Sequence, residues 1–376
     1  MNLTKTHILK SIDKTIGGLI TKVLPADIKT KTNKGYKKIL IVRPGGIGDA
    51  ILLLPAIKAL KSKLNDHEII ALCEKRNSAV FTLSPEIDKI YLYDNPKEFI
   101  KCISGHYDIV IDTEQWHRLS AVAAHFTGAH RKIGFSTNER KRLFTETVKY
   151  SHDDYEVISF LNLFAALLDN QSKVDSHKTI EFDVDMPFIH LDDIFIEDTK
   201  KIILRDLDNF VVIFPGASVI QRRWGGWRFG TLAKRLVERG INIVILGSDL
   251  DTRDSHTIKE LCPEAVNLTT MTTLKQSAAI LKNCRLLIGA DSALMHLAYG
   301  LGTKTISLFG SGIEKKWAPK GKGHYIINKH LKCSPCTTFG YTPDCPHKVK
   351  CLDSITIAEV ELLAVKVMEQ KENGQK

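Results

Sequence analysis

After a lysine-rich opening, short apolar runs alternate with longer stretches in which apolar residues recur every three or four positions. The runs Lys38–Val42, Glu68–Leu72, Lys89–Tyr93 and Asp108–Asp112 predict strands, and Ala50–Lys63 and Tyr155–Leu168 predict helices. This βαβ alternation implies a parallel sheet. From about Asp169 to Asn209 the pattern decays into polar sequence, which places an inter-domain connection there. Alternation then restarts. Strands are expected at Phe210–Phe214, Asn242–Leu246, Arg285–Ile288 and Thr305–Leu308, with helices at Arg228–Glu238, Leu274–Leu281 and Ala293–Tyr299. A last helix, Thr356–Glu369, could cross back onto the first domain. The chain is 376 residues long, beyond the roughly 250–300 at which a single core stops growing, so two domains are the default.

Two segments share one design. Ile39-Leu-Ile-Val-Arg-Pro-Gly-Gly-Ile-Gly-Asp49 and Leu286-Leu-Ile-Gly-Ala-Asp291 each run from an apolar strand into glycine and an aspartate at the start of a helix. Such turns expose backbone N–H groups at a helix N-terminus, where the macrodipole favours anions. One copy in each half points to a phosphate-bearing substrate held in a cleft between two α/β lobes.

Charge refines this picture through its location. Of the formal net charge of +10, a surplus of +7 lies in residues 1–38, where nine lysines face Asp13 and Asp27. Within that arm Ile8, Ile12, Ile16, Leu19 and Val23 recur at helical spacing among the lysines, the pattern of a basic amphipathic helix. A membrane-surface anchor and a helix packed on the first domain both fit. Nucleic acid fits poorly, because no stacking aromatics are interleaved with the lysines. No apolar stretch reaches the roughly 18–20 residues that span a bilayer, and Asp13, Lys14 and Lys22 interrupt any leader-like core. The expectation is a cytoplasmic protein, peripheral on the inner face of the inner membrane if the arm is an anchor. Cys73, Cys102, Cys262 and Cys284 are scattered without framework spacing and read as buried thiols.

With these features in place, the chain resembles the family-nine glycosyltransferases, the bacterial heptosyltransferases of lipopolysaccharide core assembly. The resemblance rests on Arg43-Pro-Gly-Gly-Ile-Gly-Asp49 with Leu54-Pro55-Ala56-Ile57, on Asp112-Thr113 with Lys132-Ile-Gly-Phe135, and on Phe214-Pro-Gly-Ala217 with Arg223-Trp224. It continues through Leu246-Gly247-Ser248, Gly289-Ala-Asp291-Ser292, Met295-His296-Leu297-Ala298 and Leu308-Phe309-Gly310-Ser311. It implies an α/β protein of GT-B fold, with two Rossmann-like domains. The expected division is a basic arm at 1–35, an acceptor-binding domain at 36–185, a nucleotide-sugar-binding domain at 186–355 and a terminal helix at 356–376.

Transfer of a sugar from a nucleotide diphosphate needs a base for the acceptor hydroxyl and stabilisation for the departing diphosphate; a metal is not obligatory. Asp49 matches the family's proposed base, with Gly46 beside it allowing close approach of acceptor; a helix-capping role for Asp49 is the alternative. Gly216-Ala217-Ser218 and Gly310-Ser311 each follow an apolar strand and can offer N–H groups and hydroxyls to a diphosphate. Arg222 stands where the family usually has a phosphate-binding lysine, and Asp251 falls near its ribose-binding glutamate. Asp291 matches the donor-sugar aspartate, with Ser292 next to it. His296, on the following helix, could orient that helix or reach a phosphate. The family usually has Gly and Pro where this chain has Ala293 and Leu294. Acceptor recognition is expected of Asp112 and of a cationic rim that includes Arg118, Arg131 and Arg140, which would suit an anionic glycolipid.

Finally, Cys333, Cys336, Cys345 and Cys351 cluster near the C-terminus with His347 among them. Four thiolates could close a structural zinc or iron site; reduced loop thiols are the alternative. The implied function is an inverting transfer of heptose from ADP-heptose. A different nucleotide-sugar, a protein acceptor, a sugar-nucleotide epimerase or a non-catalytic binding protein would use much of the same equipment.

Overall fold

The computed structural model describes residues 13–26, 37–168, 182–338 and 341–370. It divides into two compact units, Met1–Phe182 and Asp183–Lys376. The first holds the strands β1 (Lys38–Arg43), β2 (Glu68–Cys73), β3 (Lys89–Leu92), β4 (Ile109–Asp112), β5 (Arg131–Phe135) and β6 (Glu146–Val148). They form one parallel sheet in the order β3-β2-β1-β4-β5-β6, with Leu40 of β1 opposite Ile70 on one side and Val110 on the other. Residues Ile39 to Val42 are fully buried, which is why β1 reads as a continuous apolar run: helices cover both faces of such a sheet. The helix Ile47–Lys63 buries Ala50 through Ile57 and Leu60, packing against the helix Glu156–Leu168.

The second unit repeats the plan with β7 (Phe210–Phe214), β8 (Asn242–Ile245), β9 (Val266–Asn267), β10 (Leu286–Ala290), β11 (Thr305–Phe309) and β12 (His324–Asn328). Their order, β12-β11-β10-β7-β8-β9, is the first sheet's topology over again. In each unit the strand order reverses between the first and fourth strands, β1 and β4 or β7 and β10. Loops leaving the C-terminal ends of such a pair open a crevice that binds ligands in doubly wound sheets.

Three segments add to the pattern read from sequence. The terminal helix, Ile357–Glu369, is built into the second unit's core: Val360, Ala364 and Val367 are buried there beside Trp224. Trp224 Nε1 donates to the Ile355 carbonyl at 3.1 Å, and Glu361 pairs with Arg235 and Arg239. The stretch read as polar connection contains a helix, Asp193–Leu204, with Asp192 Oδ1 accepting from Phe195 N. Its apolar periodicity is faint because Ile194 and Ile202 face solvent while Thr199 and Leu204 go inward.

The third is the basic arm, which packs on the first unit, one of the two arrangements the sequence allowed. Ile8 and Ile12 lie outside the described residues, but a π-type turn at Asp13–Gly17 and a helix at Gly18–Val23 dock on the first unit. Asp13 Oδ1 accepts from the backbone N–H groups of Arg118 and Leu119 at 2.8 and 2.9 Å, at the start of the helix Leu119–Phe126. An anion belongs at that helix end. Burial works against the Asp13 charge, yet His117 and the two N–H groups outweigh it and hold the carboxyl below its ordinary range. The apolar stripe found in the sequence faces outward: Ile16, Leu19 and Val23 are 52, 65 and 76% exposed.

Candidate active site

In the first unit, β1 ends at Arg43 and the chain turns through Gly45, whose φ of 116° a side chain would resist. The following helix begins at Ile47 with Gly46 as its N-cap. Asp49 therefore lies inside the first turn and does not cap. Its side chain keeps 31% exposure while its Oδ2 takes a hydrogen bond from Arg43 Nη2 at 2.8 Å. Arg43 itself is only 2% exposed. Its Nη1 donates to the Thr113 carbonyl at 2.8 Å and to Gln115 Oε1 at 3.1 Å, both from the loop after β4. Gln115 Nε2 in turn donates to Glu156 at 2.6 Å, which also accepts from Tyr150 at 2.9 Å. Burial works against the charge on Arg43, but Asp49, Glu114 and Glu156 outweigh it and keep the guanidinium firmly protonated. The same field reaches Glu114, whose burial is overcome by Arg43, His117 and Arg140, so its carboxyl is held low. The motif containing Arg43 was recognised in the sequence, whereas its role as the post fixing Asp49 was not. The signal that locates it is topological: Arg43 ends one switch-point strand, and its partners follow the other.

The expected cationic rim is largely engaged elsewhere. Arg140 is wholly buried against Asp112, also wholly buried, and donates to the Glu114 carbonyl as well. That takes both residues off any surface and makes them a brace for the loop after β4. Burial lifts the Asp112 carboxyl above its ordinary range despite Arg140. Arg131 forks onto Glu146 at 2.9 and 3.0 Å, Arg118 pairs with Glu139 at 2.6 Å, and Lys132 Nζ donates to the Ala129 carbonyl. Solvent-facing charge cannot be told from buried charge in a linear sequence: here Lys132 and Arg140 are buried, Arg118 and Arg131 are partly exposed, and Lys141 and Arg142 face solvent.

In the second unit the sequence-derived donor residues do converge. Gly216, Ala217, Ser218 and Arg222 follow β7; Asp291, Ser292 and His296 follow β10; Gly310 and Ser311 follow β11; Asp251 follows β8. These strands are neighbours in the sheet. Arg222 Nη1 lies 2.9 Å from Asp291 Oδ2, and its guanidinium sits 5.8 Å from the centre of the Trp317 ring. Gly312 stays a glycine for reasons of space, since a Cβ would fall 2.3 Å from Asp291 Oδ2. His296 is buried, and that burial, with Arg222 adding to it and Asp291 opposing, lowers its pKa to about 4. The imidazole is therefore neutral at pH 7. Among the described residues, Arg222 Nε, Ser292 Oγ and His296 Nδ1 are buried with no hydrogen-bond partner.

Asp251 is occupied. Its Oδ2 accepts from Ser248 N and Oγ at 2.9 and 2.8 Å, and its Oδ1 pairs with Arg223 Nη2 at 2.8 Å. Ser311 Oγ donates to the Gln221 carbonyl at 3.2 Å, tying the loop after β11 to the one after β7.

Cys333, Cys336, Cys345, Cys351 and His347 line one cavity of about 100 Å³ beside Gln221 and Ser311. All four cysteines are free thiols. Burial, then the neighbouring thiols, pushes up Cys336 and Cys351. The donor set suits a thiophilic cation, although no three Cys, His, Asp or Glu among the described residues are grouped closely enough here to hold one together.

Two Rossmann-like units, each with polar residues gathered at its switch point, define the GT-B class of α/β protein. The chain belongs to glycosyltransferase family 9 (heptosyltransferase), whose profile matches residues 98–344, and it is a glycosyltransferase. It is 26% identical to lipopolysaccharide heptosyltransferase 3 of Escherichia coli over 303 residues, covering 72% of this chain and 83% of the relative. Lipooligosaccharide heptosyltransferase 2 of Campylobacter jejuni is 24% identical over 345 residues, covering 89% and 98%. The solved structure of the E. coli ADP-heptose lps heptosyltransferase II superposes with a TM-score of 0.73 at 19% identity, over 89% of this chain and 99% of that one. No helix among the described residues is long and apolar enough to cross a membrane.

Proposed function

We propose that this enzyme moves a heptose from ADP-heptose to an anionic lipopolysaccharide-core-type acceptor with inversion, using Asp49 as general base. Family membership and the heptosyltransferases it resembles support the reaction class. The observation that carries the donor site is the trio of buried, unpartnered polar atoms, Arg222 Nε, Ser292 Oγ and His296 Nδ1, around Asp291. Each such atom costs about 1–3 kcal/mol when left unsatisfied, so their concentration favours a polar ligand that supplies the missing bonds.

In this reading Asp49 takes the proton of the acceptor hydroxyl as its oxygen bonds to the anomeric carbon and the bond to the diphosphate oxygen breaks on the opposite face. Arg43 holds the Asp49 carboxylate in place, and Gly46 leaves room for the acceptor. Arg222, Ser292, neutral His296 and the N–H groups at Gly216, Ala217, Ser218, Gly310 and Ser311 take up charge on the leaving diphosphate. Asp291 accepts from sugar hydroxyls. Asp251 acts from behind, through Arg223 and the Gly216 turn. Asp112 and Arg140 brace the acceptor side, with Arg118 and Arg131 fixing the elements around it. No cofactor is needed for transfer. A zinc or iron ion held by Cys333, Cys336, Cys345 and Cys351 would be structural, because four thiolates leave no open coordination position.

The exposed Ile16, Leu19 and Val23, with Lys14 and Lys22 on the same helical segment, support docking on an anionic membrane surface at the cytoplasmic face. Replacing those three residues by serine should weaken binding to anionic vesicles while leaving activity on a soluble acceptor unchanged; unaltered vesicle binding would remove the anchor. For the reaction, purified protein given ADP-heptose and a core-type acceptor should yield the inverted glycoside and ADP. Consumption of donor without any acceptor, giving an isomerised nucleotide-sugar, would point to epimerase chemistry instead.

A further inference from the structure

The helix Leu119–Phe126 starts without a cap of its own: Arg118 stands at its N-cap position and makes no side-chain bond to the first turn. The missing acceptor comes from 105 residues earlier in the chain, where Asp13 Oδ1 takes the N–H groups of Arg118 and Leu119. Asp13 Oδ2 lies 3.4 Å from His117 Nδ1, and the residue is buried. In the sequence Asp13 reads only as an interruption of an apolar run. The rest of the arm fits the same place. Ile20 and Leu24 pack against the first unit's core, Arg142 Nη1 donates to the Lys22 carbonyl at 2.9 Å, and a Cβ on Gly17 would come to 3.2 Å from Arg118 Cβ. Ile16, Leu19 and Val23 lie on the exposed side of the arm, so a surface bound by that stripe leaves the contact undisturbed.

The loop after β4, residues 113–118, runs straight into the helix that Asp13 caps. It gives Arg43 two anchors, the Thr113 carbonyl and Gln115 Oε1, and gives Arg140 the Glu114 carbonyl. Asn138 Nδ2 donates to the Trp116 carbonyl at 2.8 Å, and Arg118 pairs with Glu139. The arm is laid against that pair, since a Cβ on Gly18 would come to 3.5 Å from Glu139 Oε1 and 3.7 Å from Arg118 Nε. One end of the loop therefore fixes the guanidinium that holds Asp49, and the other end is held by the arm. A helix as short as Gly18–Val23 does not persist alone in water. The arm keeps this shape only while docked, and the loop has two states open to it, with the cap in place or without it.

We propose that Asp13 is a positioning residue for the transfer reaction: by capping the helix Leu119–Phe126 it fixes the loop that anchors Arg43, and through Arg43 the Asp49 carboxylate. The proposal rests on the reading of Asp49 as general base. A reactive group displaced by about 1 Å can cost about 100-fold in rate. Loosening of this loop should therefore show in turnover and not in donor affinity, because the residues of the donor site belong to the second unit.

The test compares the full chain with three variants. Asp13→Ala removes the acceptor, Asp13→Asn keeps an oxygen for the two N–H groups, and Gly17→Phe forces the arm off with Asp13 intact. Hydrogen exchange followed by mass spectrometry reads residues 113–119. Steady-state kinetics with ADP-heptose and a soluble core-type acceptor read turnover, and calorimetry reads ADP affinity. In Asp13→Ala and Gly17→Phe the stretch should exchange about fivefold faster and kcat should fall roughly tenfold, with ADP affinity unchanged. Asp13→Asn should restore most of both. Faster exchange with kcat unchanged would overturn the positioning role, and so would exchange that does not respond to either variant. A low kcat in Asp13→Asn with normal exchange would overturn it as well, since the cap would then be intact. Absence of transfer by the unsubstituted chain, with exchange responding as expected, would instead defeat the reaction reading on which the proposal stands.

Discussion

The two switch points have the same topology and differ in where their buried polar groups point and what holds them. In the first unit, Arg43 is tied to Asp49, Thr113 and Gln115, Arg140 is tied to Asp112 and Glu114, and one carboxylate, Asp49, is left partly open. In the second, Ser292 Oγ, His296 Nδ1 and Arg222 Nε gather around Asp291, buried without hydrogen-bond partners among the described residues; in the first, Arg43 Nε and Arg140 Nε are also without partners, but their other nitrogens are all engaged by the chain. A carboxylate held by a buried guanidinium that is itself anchored on a neighbouring loop is suited to act as one rigidly placed reactive group. A site with buried groups unpaired is suited to bind a ligand that pairs them. Under the proposed function this difference puts the chemistry in the first unit and donor binding in the second.

The largest effect should come from the open carboxylate. Asp49→Asn is expected to lower transfer at least about 100-fold, the usual minimum for a lost general base, while ADP affinity stays within about twofold. Unchanged turnover would erase the contrast between the units. Next, Arg140→Met leaves Asp112 buried without its partner and should cost about 3–5 kcal/mol of stability, read from denaturant unfolding. Adding Asp112→Asn to that variant should restore part of the loss. A surface role for Arg140 would instead leave stability unmoved.

Arg222→Ala removes a charge-assisted contact and should weaken ADP binding by about 1.5–3 kcal/mol, with Arg222→Lys intermediate because a point charge replaces a fork. Equal affinity in all three proteins would take Arg222 out of the donor site.

The smallest predicted effect is on acid stability. His296 and His324, both in the second unit, are lowered from 6.5 to about 4, chiefly by burial. The unfolded chain therefore takes up these protons first. Their contribution is fully present above pH 6.5 and is lost as pH falls toward 4, by about 2 kcal/mol for His296 at pH 5. Asp112 in the first unit, lifted by burial, shifts the balance the other way, whereas Asp13 and Glu114 in the same unit, held low by their partners, add to the loss on acidification. Thermal melts at pH 7 and pH 5 should show a drop that His296→Gln reduces; a drop of the same size in that variant would rule out the imidazole as its source.

Much of the fold was legible because buried parallel strands write themselves as apolar runs: Phe210–Phe214 was placed at its observed bounds, and β1 was missed only by Arg43. Strands that lack such runs were not assigned. β6 has one buried residue in three, and β12 is only half-buried throughout. The helix Asp193–Leu204 escaped because it buries so little. The similarity between the Ile39–Asp49 and Leu286–Asp291 segments was real, but β1 and β10 are not equivalent strands. They flank their switch points from opposite sides, β10 corresponding to β4. The residues gathered on the loops after β7, β10 and β11 were readable from motif order. Burial of Arg140, the outward turn of Ile16, Leu19 and Val23, and the fixing of Asp49 by Arg43 are tertiary facts, set by which face of each element meets a neighbour.

The most direct test of the division of labour is a calorimetric comparison of ADP, UDP, GDP and CMP binding to the purified protein without added divalent metal. The account predicts selective binding of ADP. Preference for UDP or GDP, or binding of none of the four, would contradict it.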